Sequence, residues 1–108
     1  MADVYKVLGQ SNPSALTDTT LYTVPSGRSA IVSTLSVTNL STSTTYRIAI
    51  RVAGAAITPK QYIVYNAIIN SNDAVFLTLD ITLGVGDIVS VYAGTSTVSF
   101  NLFGHEIA

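Results

Sequence analysis

Residues 45–52 read Thr-Tyr-Arg-Ile-Ala-Ile-Arg-Val, and the fold class follows from them. Tyr46, Ile48, Ile50 and Val52 share one parity, while Thr45, Arg47, Ala49 and Arg51 share the other. Successive side chains on a strand point to opposite faces, so the stretch predicts a strand with one dry and one wet face. At about 3.3 Å per residue it runs roughly 26 Å, enough to cross a small sheet.

Upstream, Ser29–Asn39 reads as a longer strand with Ile31, Leu35 and Val37 on one parity. Ser33 shares that parity and needs a hydrogen-bond partner if buried. Leu40–Thr44 reads as a hairpin loop between the two strands. Thr20–Val24 is a short strand stopped by Pro25-Ser26-Gly27, where proline presets φ and glycine supplies a positive one. Asp3–Leu8 is extended and is closed by the turn formers Gly9–Ser14. Residues 1–14 are thus either an edge strand or an arm lying on a neighbouring subunit, ahead of a single domain over 15–108.

Downstream, Ala53-Gly54-Ala55-Ala56 suggests a bend, and Pro59 precedes a strand at Gln61–Tyr65. Val75–Leu79 and Ile88–Ala93 are two further strands. The intervening Leu83-Gly84-Val85-Gly86-Asp87 predicts a turn or bulged hairpin. Val98, Phe100 and Leu102 define a last strand, with Gly104 near its end. No segment keeps a helical apolar period over helical length. About eight short strands with regularly recurring turns predict an all-β, antiparallel, jelly-roll-like β-sandwich.

The chain has 108 residues, of which 48% are apolar and only 10% charged, against a usual charged share of about 25%. Little self-repulsion keeps copies apart, which favours a homo-oligomer or a subunit of a larger assembly. Five basic residues against six acidic ones give no cationic excess for phosphates, so nucleic acid is not an expected partner. There is no cysteine, which excludes disulfides and thiolate chemistry. No apolar run approaches bilayer-spanning length, and the N-terminus lacks the pattern of a signal peptide. Synthesis in a host cytoplasm without membrane association is the expectation. Asn39-Leu40-Ser41 matches a glycosylation acceptor pattern, expected to be idle.

No constellation of side chains asks for catalysis, a cofactor or a metal. His105 is the only histidine, beside Glu106, with no strand-turn-helix nucleophile motif to serve. Asp73, Asp80 and Asp87 recur every seven residues but bracket strand ends, where aspartate caps backbone N–H groups. Arg47 and Arg51 share the wet face of the opening strand, about 13 Å apart by strand rise, as charges that discourage wrong pairing or meet acidic groups on a partner. Six tyrosines without a tryptophan suit protein contact better than sugar stacking. Tyr62 and Tyr65 have opposite parity, so one of them faces outward if their strand is regular. The candidate protein-interface residues are Val4, Tyr5, Lys6, Arg47, Arg51, Tyr62 and Tyr65.

Leu21–Ser33, with Leu-Tyr-Thr-Val-Pro-Ser-Gly at its start, resembles the corresponding stretch of small structural proteins of tailed bacteriophages. Arg47–Ala55 is similar to their arginine-flanked strand. Leu79–Ala93 resembles their late hairpin, and Ser99–Gly104 their closing strand. The resemblance covers about Leu21 to Ile107 and rests on strand and turn residues. Pro-Ser-Gly departs mildly from the Pro-Ala-Gly of that family. The resemblance implies a virion structural role on a β-sandwich. The expected function is a capsid decoration (cement) protein that stabilises the shell as a homo-oligomer, a trimer, bound to the major capsid protein or other virion proteins. The alternatives are a tail, baseplate or fibre-adaptor subunit and a carbohydrate-binding jelly roll.

Overall fold

A computed structural model describes residues 3–107, with side chains from residue 5. The strands are β1 (Asp3–Ser11), β2 (Thr19–Thr23), β3 (Ser29–Asn39), β4 (Thr44–Arg51), β5 (Tyr62–Ile69), β6 (Ala74–Leu83), β7 (Ile88–Ala93) and β8 (Val98–Ile107). Two single-turn 3-10 segments, Val52–Gly54 and Pro59–Gln61, link β4 to β5. One sheet has the order β1-β8-β3-β6 and the other β2-β7-β4-β5, with every pairing antiparallel. Strands β1 and β8, β2 and β7, β3 and β6, and β4 and β5 are hydrogen-bonded partners, as in a long hairpin wound over itself. This is the jelly roll that the sequence predicts.

That winding corrects two local expectations. Leu40–Thr44 does not close a hairpin, because β3 and β4 lie in different sheets. Leu83–Asp87 likewise carries the chain from one sheet to the other. Turn formers mark where a chain reverses; whether it stays in its sheet depends on pairings made far away in sequence. Only β4 and β5 are both consecutive and paired. The N-terminal segment is an edge strand, paired with β8 from Asp3 opposite Ile107 to Ser11 opposite Phe100.

The core fills the space between the sheets with Val32, Leu35 and Val37 of β3, Ile48 of β4, Val89 and Val91 of β7, and Phe100 and Leu102 of β8. Tyr46 meets Phe100 edge-on, with ring centroids 6.3 Å apart. On β4 the expected parity holds for Tyr46 and Ile48. Val52 departs from it: the strand ends at Arg51 and Val52 stands exposed in the following turn. Ala49 is buried despite its wet-side parity.

Bulges explain the other departures. On β3 the register shifts between Val32 and Thr34, so Ala30 and Val32 face inward on one parity and Leu35 and Val37 on the other. Ile31 therefore does not share the face of Leu35. Ser33 sits at the shift and donates its hydroxyl to the Phe103 carbonyl at 3.1 Å. β1 shifts at the same level of the sheet, between Val7 and Gly9. An extra residue locally bends and twists a strand. At this bend Gly104 is obligatory, because a Cβ would collide with the Ile31 carbonyl oxygen.

Asn39, also fully buried, pins one end of the sandwich. Its amide donates to the carbonyls of Thr42 at 2.7 Å and Asn70 at 3.1 Å, and its carbonyl accepts from Ser41 N–H and Thr97 Oγ1. The apparent glycosylation pattern is thus a structural asparagine whose amide nitrogen faces the interior.

Candidate functional site

The outer face of the β4–β5 sheet gathers three of the candidate interface residues. β5 is not regular: its register against β4 shifts twice, around Arg47 and again between Ile48 and Ala49, and Asn66 adopts a left-handed φ of 52°. The extra residue between Tyr62 and Val64 undoes the parity difference between Tyr62 and Tyr65. Their rings meet edge-on with centroids 4.9 Å apart. With Ile57, Thr58 and Pro59 they line an open cleft of about 540 Å³.

Arg47 projects from β4 beside them. Its guanidinium lies 4.4 Å from the Tyr65 ring centroid and 4.1 Å from that of Tyr92, and Nε donates to Asn66 Oδ1 at 2.7 Å. Such a cation–π stack contributes about 0.5–1 kcal/mol per ring at an exposed site. Its larger effect is to hold Tyr65 in place. Arg51 is turned to another task. It donates from Nε to Ala55 O at 2.7 Å and from a terminal nitrogen to Gly54 O at 3.2 Å, capping the turn after β4. Arg47 and Arg51 thus share a face without forming one anion clamp.

The remaining candidates lie on the other sheet. Tyr5, on β1, is 75% exposed and stacks on His105 with centroids 4.5 Å apart. Val4 belongs to β1 by its backbone, opposite Glu106, but its side chain lies outside the described residues. Lys6 points its ammonium at Glu106, 3.2 Å away.

That contact leads to a cluster the sequence reading does not anticipate. Glu106 is 3% exposed and accepts the Tyr22 hydroxyl hydrogen at 2.6 Å; Arg28 lies 3.5 Å from its other oxygen. The Tyr22 hydrogen bond, aided by Lys6 and Arg28 against the opposing effect of burial, holds the Glu106 carboxyl below the usual range. Burial, followed by the bond to Glu106, pushes the Tyr22 phenol well above its ordinary value. Donor and acceptor are therefore each fixed in the protonation state their bond needs. A carboxylate so stabilised is a poor proton donor at neutral pH, and the cluster acts as a staple joining β1, β2, the β2–β3 turn and β8. The signal for it is parity. Glu106 continues the inward row Val98, Phe100, Leu102, and an acid on a buried row requires partners.

Two of the three recurring aspartates serve their turns. Asp87 accepts from Ala53 N–H at 2.8 Å and Gly84 N–H at 2.9 Å, and Asp73 from Ala74 N–H at 2.8 Å. Among the described residues no group of three metal-binding side chains converges. Comparison with family models, curated proteins and solved structures gave no match.

Proposed function

We propose that this chain is a structural subunit of a tailed-bacteriophage virion, a capsid decoration protein that binds the shell as a homo-oligomer and stabilises it. The observation that carries the reading is an exterior poor in charge. Ten large hydrophobic side chains stand exposed among the described residues, on a chain with 10% charged residues. A surface so short of charge has little self-repulsion to hold it apart from other protein. The phage-like stretches Leu21–Ser33, Arg47–Ala55, Leu79–Ala93 and Ser99–Gly104 supply the virion context. The fold by itself does not choose, since jelly rolls also serve lectins and enzymes.

Particles that carry the protein should lose thermal stability when it is stripped and regain it when it is added back. Equal breakage temperatures for stripped and intact particles would refute the role. Copy number separates the shell from a tail or adaptor position, with hundreds per virion expected on the shell and a handful at one axis.

A second reading, saccharide binding, has one observation in its favour: the cleft beside Tyr62 and Tyr65, whose rings could stack on sugar C–H faces. Glycan-array binding that vanishes in Tyr65→Ala would favour it.

A further inference from the structure

We infer that the side of the sandwich formed by edge strands β5 and β6 is where a second copy of this chain packs. The inference rests on reading the protein as an oligomeric virion subunit, and it names the surface. Among the described residues eight apolar ones touch the core while remaining only partly buried, and six of them are Val64 and Ala67 on β5 and Val75, Leu77, Leu79 and Ile81 on β6. These inward-facing residues are left half-covered by their own chain. On the outer faces of the same two strands, flanking the strip on either side, Ile68 is 72% and Phe76 69% exposed.

Charge points to the same occupant. The 8 residues of β5 and 10 of β6 hold one charged side chain, Asp80. A surface so short of charge offers little to select a differently charged partner, whereas obligate contacts between identical subunits resemble a domain core cut in half. Strands of this length make a strip about 30 Å long, and two sheets about 10 Å apart with their flanking side chains make it about 20–25 Å wide. The resulting area of roughly 700 Å² approaches the ~800 Å² per partner of a stable interface.

The β1–β2 side is less suited to self-pairing, since β1 bears Lys6 and a bulge and β2 has 5 residues. On the β5–β6 side β5 is bulged twice and β6 once near Asp80, but β6 is regular from Ala74 to Thr78, with no proline or lysine to blunt that stretch.

Sedimentation velocity of the purified chain, with Phe76→Glu, Ile68→Lys and Tyr5→Lys variants, tests this. All three positions are exposed, and circular dichroism confirms folding. The wild type should sediment as an oligomer. Phe76→Glu and Ile68→Lys should each weaken association by at least about tenfold, and Tyr5→Lys on the opposite edge should leave it unchanged. A monomeric wild type, or an oligomer indifferent to both β5–β6 variants, overturns the inference. Adding the proteins to stripped particles separates the two claims. A monomer that still stabilises particles leaves the cement role standing and sinks the β5–β6 interface. An oligomer that depends on Phe76 but stabilises nothing does the reverse.

Discussion

The two sides of the sandwich are closed in different ways. On the β1–β2 side the strands approach so closely that a Cβ on Gly9 would strike the Leu21 carbonyl oxygen. Glu106, with Tyr22, Lys6 and Arg28, ties the two sheets together there. On the β5–β6 side Ile69 and Leu83 are buried and Asn39 pins one end. Val64, Ala67, Val75, Leu77, Leu79 and Ile81 nonetheless stay partly covered, with no ionic tie between the sheets among the described residues. One side is finished by the chain's own atoms. The other has the composition of a core that its own chain covers only in part, and in our reading a second copy completes it.

Substitutions on the two sides should therefore differ in what they damage. The largest effect is expected for Gly9→Val. Its side chain must push β1 away from β2, which should cost roughly 3 kcal/mol, or about 12–24 °C in melting temperature for a domain near this size. An unchanged melt would mean that the β1–β2 side is not closely packed.

Next is Glu106→Gln, which weakens the bond to Tyr22 and removes the partner of Lys6 and Arg28. Both cations are substantially exposed and can rehydrate, so most of the loss is the buried hydrogen bond, about 2 kcal/mol by denaturant unfolding. The same pair of proteins gives a pH test. The native pKa of Glu106 lies below its ordinary value of 4.5, so its stabilisation is full above that value. It is lost as pH falls through the lower native value. The advantage of wild type over Glu106→Gln should shrink on acidification from about pH 4.5 downward. A difference that does not change with pH would show that the carboxylate charge contributes nothing.

The smallest effect on the isolated fold belongs to the open side. Val75→Thr keeps shape at a half-exposed position and should cost under about 1 kcal/mol in the monomer. Its consequence should appear in self-association instead. A large loss of monomer stability would mean that β6 is already part of a closed core.

What the sequence made legible was mostly what alternation can carry. Tyr46 and Ile48 identify β4, and Val98, Phe100 and Leu102 identify β8, because each row keeps its period for several residues. The bulges were hidden. At Ser33 the chain changes parity to satisfy pairing with β8, a strand some seventy residues away, and no local residue announces it. On β5 the same device brings Tyr62 and Tyr65 together, which a regular strand would forbid. The partition into sheets was equally non-local: Gly84 and Gly86 say that the chain turns, not that it leaves its sheet. Glu106 could have been found, since it ends an apolar row, but its partners come from three other segments.

Hydrogen exchange read by mass spectrometry at low and high protein concentration tests the contrast between the two sides most directly. The β6 amides between Ala74 and Leu83 that do not pair with β3 should exchange quickly in dilute protein and become protected as concentration rises, while β1 and β2 stay unchanged. Protection of β6 that is independent of concentration, or a concentration effect confined to β1 and β2, would contradict a sandwich closed on one side by itself and on the other by its neighbour.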